Sequence, residues 1–186
     1  MYEKLVFPLP QEINEIVEEG GDEDYIVNPQ AYFRGASEIP GSKFNVGFQV
    51  FKKPFFLDRN PHFHDADEYL IFMGGTFPNL FDWDAEIELT IGEIGVNEER
   101  FKITQPTIIR IPAGTWHCPL NFRVINKPVF FQAALGEEVF GANFITPTGE
   151  VKKMRYNGPG QCKYDPNKKC DTCGKCFTED WRVEAK

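Results

Sequence analysis

The chain lacks a long apolar run. None approaches the roughly 20 residues that a membrane-spanning helix needs, so that class of protein is excluded. It is also short of positive charge. The 20 Lys and Arg face 28 Asp and Glu, and no dense basic stripe offsets the formal net charge of −8. An acidic surface repels a phosphate backbone, so nucleic acid is not an expected partner. Residues 1–10 lack the charged start, long apolar stretch and small-residue cleavage site of an export signal, and a cytoplasmic location is expected. Strand–helix alternation is missing, which argues against a parallel α/β sheet.

What the chain has instead is Phe, Gly and Pro, with 18, 16 and 14 copies. Aromatic residues favour strands, and Gly and Pro favour the turns that join them. Residues 44–51 (FNVGFQVF), 69–73 (YLIFM), 86–91 (EIELTI), 107–111 (TIIRI) and 128–133 (PVFFQA) are short runs of this kind, each bounded by turn formers. Ile87, Leu89 and Ile91 alternate with Glu86, Glu88 and Thr90, the pattern of a strand buried on one face. Many short strands with turns between them predict an all-β sandwich or barrel. Ile13, Ile16 and Val17 share one stripe of a short helix within 11–19. The length of 186 residues suits one core. The expected organisation is an N-terminal extension with a short helix over 1–24, a barrel over 25–150 and a Cys-rich appendage over 151–186.

The three histidines fall in two short segments, Pro61-His62-Phe63-His64-Asp65-Ala66-Asp67-Glu68 and Pro112-Ala113-Gly114-Thr115-Trp116-His117. On a strand, residues two apart point the same way, so His62 and His64 can share a metal ion. Glu68 opens the run YLIFM, and a hairpin would return it beside the two histidines. His117 comes from a distant segment behind a turn. Three imidazoles and a carboxylate are a partial shell for Mn, Fe, Co, Ni or Zn that leaves positions open.

These segments resemble the two motifs of the cupin superfamily. The first is His-x-His, three or four residues, Glu, six residues, Gly, here His62, His64, three residues, Glu68 and Gly75. The second is Pro-x-Gly-x-x-His-x-x-x-Asn, here Pro112, Gly114, His117 and Asn121. Phe56 and Pro106 stand where the family often has turn glycines. The resemblance covers about 44–135. It implies a double-stranded β-helix, the jelly-roll barrel, with one divalent metal (Mn2+, Fe2+ or Zn2+) inside its mouth on His62, His64, Glu68 and His117. It also implies a homodimer paired through N-terminal strands. The long spacer between the motifs predicts an inserted loop over Thr76–Asp84, at or near the mouth.

The superfamily spans many activities, so three readings stay open. One is an oxygen-independent hydrolase, lyase or isomerase of a small enolisable carbonyl compound, such as a diketone or an alicyclic or aromatic-derived substrate. Another is a non-haem iron dioxygenase cleaving a diketone or catechol-like substrate. The third is a non-enzymatic small-molecule binder, which has no need of four metal ligands. Candidate catalytic residues are Glu68, Asp65 and Tyr69, with Asp67 as a further carboxylate. Arg110 and Arg123 are candidates to pair with a substrate carboxylate. Cys162, Cys170, Cys173 and Cys176 crowd the C-terminus at a spacing that suits Zn2+ or an iron–sulfur cluster, with free thiols or disulfides as the other reading. Such thiolates survive best in reducing cells, which favours the oxygen-independent reading. Cys118, next to His117, is expected to face away from the metal as a small buried apolar residue.

Overall fold

The computed structural model describes residues 3–12, 25–93, 95–145 and 149–155. The helix expected within 11–19 and the four C-terminal cysteines lie outside them, apart from residues 11 and 12.

Among the described residues, twelve strands build two antiparallel sheets. The first sheet has the order β1 (Ala31–Arg34), β2 (Asn45–Phe51), β10 (Val129–Leu135), β5 (Glu68–Gly74), β8 (Thr107–Ile111). The second has the order β12 (Val151–Arg155), β11 (Gly141–Ile145), β4 (His62–Phe63), β9 (His117–Ile125), β6 (Ala85–Ile91), β7 (Glu99–Ile103), and β3 (Phe55–Asp58) also pairs with β9. The expected all-β jelly roll is therefore the observed fold. Consecutive strands repeatedly change sheet, as β2 to β3 and β4 to β5 do. The stretch after residue 150, read from sequence as an appendage, begins with β12. That strand pairs along β11, so the sheet runs five residues into it.

The period-two pattern decides which faces meet. In β5, Glu68, Leu70, Phe72 and Gly74 are buried and alternate with more accessible residues. In β2, Asn45, Gly47, Gln49 and Phe51 do the same. A cluster of rings fills the barrel between the sheets. Phe51 lies 4.8 Å from Phe122 and 4.4 Å from Phe55, Phe72 lies 5.1 Å from Phe131, and Phe122 meets Phe131 edge-on at 5.7 Å. Burying each such side chain is worth about 1.5–3 kcal/mol. Phe72 is four residues along β5 from Glu68, about 13 Å at strand rise. The aromatic core and the histidine end are thus two storeys of one barrel.

Two sequence expectations change here. No β4–β5 hairpin returns Glu68 to the histidines, because the two strands belong to different sheets. The chain crosses from one sheet to the other between His64 and Glu68, and Glu68 faces the histidines across the interior. The loop over 76–84 is not at the mouth. It follows the Gly74 end of β5, the end remote from Glu68. Gly74 N–H donates to Leu80 O at 2.8 Å, Phe77 packs on Phe130, and Lys127 pairs with Asp82. Motif residue Gly75 belongs to this closed end. Its N–H donates to Pro128 O at 2.7 Å, and an added Cβ would lie 3.0 Å from the Pro128 backbone.

Candidate metal centre

Strand β4 supplies His62, and His64 follows it by one residue. Strand β5 begins at Glu68 and β9 begins at His117. His62 and His117 are directly paired residues of adjacent strands. Ring centroids are 4.3 Å apart for His62 and His117, 5.0 Å for His62 and His64, and 5.2 Å for His64 and His117. Glu68 reaches in from the other sheet, with Oε2 3.1 Å from His117 Nε2 and Oε1 3.6 Å from His64 Nε2. All four side chains are buried.

The second motif explains part of this assembly. Gly114 has φ of 76°, a conformation that favours glycine. Its N–H donates to His64 O at 2.8 Å, and Thr115 N–H closes the turn on Pro112 O at 3.0 Å. The Thr115 carbonyl then accepts from His117 Nδ1 at 3.0 Å. One turn thus holds the segment carrying His64 and the ring of His117.

Each imidazole is committed in the same way. His62 Nδ1 lies 2.9 Å from Asn60 O, and His64 Nδ1 lies 2.6 Å from Gly141 O. A carbonyl can only accept, so in the neutral imidazole each Nδ1 carries the proton and each Nε2 keeps its lone pair. Among the described residues, four buried side-chain atoms have no hydrogen-bond partner, and three of them are His64 Nε2, Glu68 Oε2 and His117 Nε2. Although 3.1 Å apart, His117 Nε2 and Glu68 Oε2 lack hydrogen-bond geometry. Three lone-pair atoms buried together are costly unless something binds them. A divalent cation does so, and nitrogen and oxygen donors suit the first-row metals. Ligand atoms of His64, Glu68 and His117 all lie within 4.8 Å of one another, and so do those of His62, His117 and Cys118. The four sequence-predicted ligands are therefore brought together, with His117 common to both groups.

Protonation follows from burial and neighbours. Burial, with repulsion from His117, lowers the His62 pKa to about 4. Burial lowers His64 as well. Burial also opposes charge on His117, but the Glu68 carboxylate outweighs it and raises the pKa. The reverse holds for Glu68. Burial favours its neutral form, but His117 and His64 prevail and its pKa is lowered.

The other candidates are placed as follows. Tyr69 points to the opposite face of β5 from Glu68, is exposed, and is not brought to the histidines. Asp65 accepts from Asn143 Nδ2 at 2.8 Å and pairs with Lys153. Asp67 pairs with Arg110 at 2.7 Å and accepts from Ala113 N–H at 3.1 Å. Arg123 pairs with Glu88 at 2.6 Å, outside the barrel. None of these five joins the cluster. Cys118 departs from its expected orientation. The pairing of β6 with β9 slips between Leu89 and Ile91, where Ile91 meets His117 but Leu89 meets Leu120. This bulge puts an extra residue into β9 and breaks the parity rule. Cys118 has φ of 74°, is buried, and lies beside His62 and His117. Its thiol pKa is pushed well up by burial and by the Asp58 and Glu68 carboxylates.

Sequence reading missed Asp58. This last residue of β3 stands with Oδ2 3.6 Å from His62 Nδ1. Burial raises its pKa to about 6, against the pull of the Asn60 N–H. No pattern in the sequence marks it, because it arrives through the pairing of β3 with β9.

Two antiparallel sheets with His62, His64, Glu68 and His117 at one end of the interior fit the jelly-roll barrel that the sequence resemblance implies. No protein-family model matches the chain, and no curated protein matches it. Among solved structures it is similar to a Bacillus subtilis oxalate decarboxylase with Mn(II) centres (TM-score 0.45, 11% identity, 63% of this chain and 28% of that one). It is similar also to an oxalate oxidase in complex with glycolate (0.44, 18%, 62% and 55%). A third is vicilin from hazelnut, Corylus avellana (0.44, 18%, 83% and 36%). The chain thus spans between 28% and 55% of the length of these proteins. At such identities and scores the likeness carries no chemistry across.

Proposed function

We propose that this barrel is a metal-dependent enzyme that binds one divalent ion on His62, His64, Glu68 and His117. Its reaction is an oxygen-independent hydrolysis, lyase step or isomerisation of a small enolisable carbonyl compound. The observation that carries the metal reading is the set of buried, unpartnered His64 Nε2, His117 Nε2 and Glu68 Oε2 atoms, with each imidazole held through Nδ1 by a carbonyl. A bound divalent ion supplies a Lewis acid that polarises a carbonyl oxygen and lowers the pKa of water. The chain's own residues hold the four donors in place before any ligand arrives. Glu68 contributes the negative charge that offsets part of the ion's. His62 and His64 are neutral at pH 7, so neither repels the ion. Phe144, its ring 5.2 Å from His62, and Phe140, 5.9 Å from His64, border the site with apolar surface, which favours a compact, weakly polar substrate.

The test is elemental analysis of protein purified without oxygen, paired with oxygen-uptake assays on a panel of diketones and catechols. Manganese or zinc with turnover and no oxygen uptake supports this reading. Iron with oxygen uptake replaces it with the dioxygenase reading. His62→Ala and Glu68→Gln should each strip the ion while the far-ultraviolet circular dichroism stays that of a folded β protein. Unchanged metal content in both variants refutes the ligand assignment.

A further inference from the structure

The second carboxylate at the histidine end has a role that rests on the metal reading above and deepens it. His62 differs from the other two histidines in what backs its anchoring carbonyl. His64 is held by Gly141 O in strand β11, and His117 by Thr115 O within the hydrogen-bonded turn of the second motif. The Asn60 carbonyl that holds His62 sits in the short link between β3 and β4. Among the described residues, no main-chain hydrogen bond ties Asn60 down. Pro61 follows it and has no N–H to offer. What holds Asn60 is Asp58, whose Oδ1 accepts the Asn60 N–H at 3.0 Å.

This is an Asx turn, in which a side-chain oxygen receives the N–H two residues on. It fixes the plane of the link, and the next carbonyl in that link receives His62 Nδ1–H at 2.9 Å. Asp58 is anchored in turn, because it closes β3 in register with Leu120 of β9. The chain of contacts runs from β9 through Asp58 and Asn60 to His62, which itself pairs back to His117 at the start of β9. The Asp58 Oδ2 atom lies 3.6 Å from His62 Nδ1, too far for a hydrogen bond. The carboxylate therefore acts on His62 through the turn.

We propose that Asp58 is the positioning residue for His62: its Asx turn sets the Asn60 carbonyl that holds the imidazole with Nε2 free for the metal ion. Partners that orient a ligating histidine are worth about 10–100-fold in metal affinity when removed. Asn and Ser can also close such a turn through a neutral oxygen, and Ala cannot.

The experiment measures Mn2+ affinity of the full chain for wild type, Asp58→Ala, Asp58→Asn and Asp58→Ser. The Mn2+ electron paramagnetic resonance spectrum is recorded on the loaded samples, and histidine 15N shifts on the same variants before Mn2+ is added. The expected result is an affinity loss of about tenfold or more in Asp58→Ala. The His62 15N shifts then move toward a mixture of tautomers, while Asp58→Asn keeps wild-type affinity and shifts. Equal affinity in Asp58→Ala and wild type overturns the proposal. So does a loss in Asp58→Asn as large as in Asp58→Ala, which assigns the effect to charge. If Asp58→Ala does not fold, the Asn and Ser variants decide: retained affinity and tautomer support the turn, and a tenfold loss in both overturns it. Wild type that binds no Mn2+, Fe2+ or Zn2+ refutes the metal reading itself, a result distinct from all of these.

Discussion

His117 is the one histidine whose pKa stands above its ordinary value, because Glu68 lies beside it in a buried place. That makes it the group at which protons compete with metal. His62, with its pKa at about 4, is already deprotonated through the neutral range, and His64 is shifted the same way. Glu68 is shifted down and stays ionised. The sign follows: metal must displace a proton from His117 at any pH below its raised pKa, and no proton above it. Apparent metal affinity should be flat above that pKa and should fall about tenfold per pH unit below it. In His117→Ala the remaining affinity is weaker, and that break disappears. A titration of Mn2+ binding between pH 5 and 8, for wild type and variant, checks both points. A break that persists in His117→Ala assigns the competing proton elsewhere.

The strands carry the same message about what can be read early. Runs 44–51, 69–73, 86–91 and 107–111 became β2, β5, β6 and β8, because apolar residues at a period of two commit one face to the core. Strand β7 escaped, since Glu99, Arg100, Phe101 and Lys102 are all exposed at a sheet edge and show no buried face. The meeting of the four proposed ligands was legible because their spacing encodes a turn and a strand start. The bulge at Cys118 was not, since a slipped register is a property of β9 and β6 together. Asp58 was equally hidden, as its place depends on the pairing of β3 with β9. The ring storey gives a test of how independent the two halves of the barrel are. Phe122 is fully buried and touches Phe51, Phe55, Phe72 and Phe131. Phe122→Ala should cost about 3–5 kcal/mol of stability. Urea unfolding reads this as a lower midpoint. Metal content per folded chain should be unchanged, because His117 is anchored by its own turn at the other end of β9.

Taken as one molecule, the barrel is two sheets that meet through side chains, and the four proposed ligands are divided between them. His62 and His117 belong to strands of one sheet, with His64 one residue beyond, and Glu68 belongs to the other. An ion on this set would join the sheets at the end remote from the ring cluster of Phe72, Phe122 and Phe131. Without it, the unpartnered Nε2 and Oε2 atoms remain buried and the Glu68–His117 pair must serve alone. Metal binding to the folded state therefore adds to global stability. At a free metal concentration of 100 times the dissociation constant, the added stability is about 2.7 kcal/mol. For a chain of this length that raises the melting temperature by about 5–10 °C. Calorimetry with and without a chelator measures the shift, and the ligands decide its meaning. In Glu68→Gln the chelator-sensitive part should vanish, since the sheet-bridging carboxylate is gone. If Glu68→Gln keeps the full shift, the stabilising ion sits elsewhere in the chain, and the four C-terminal cysteines become the first place to look.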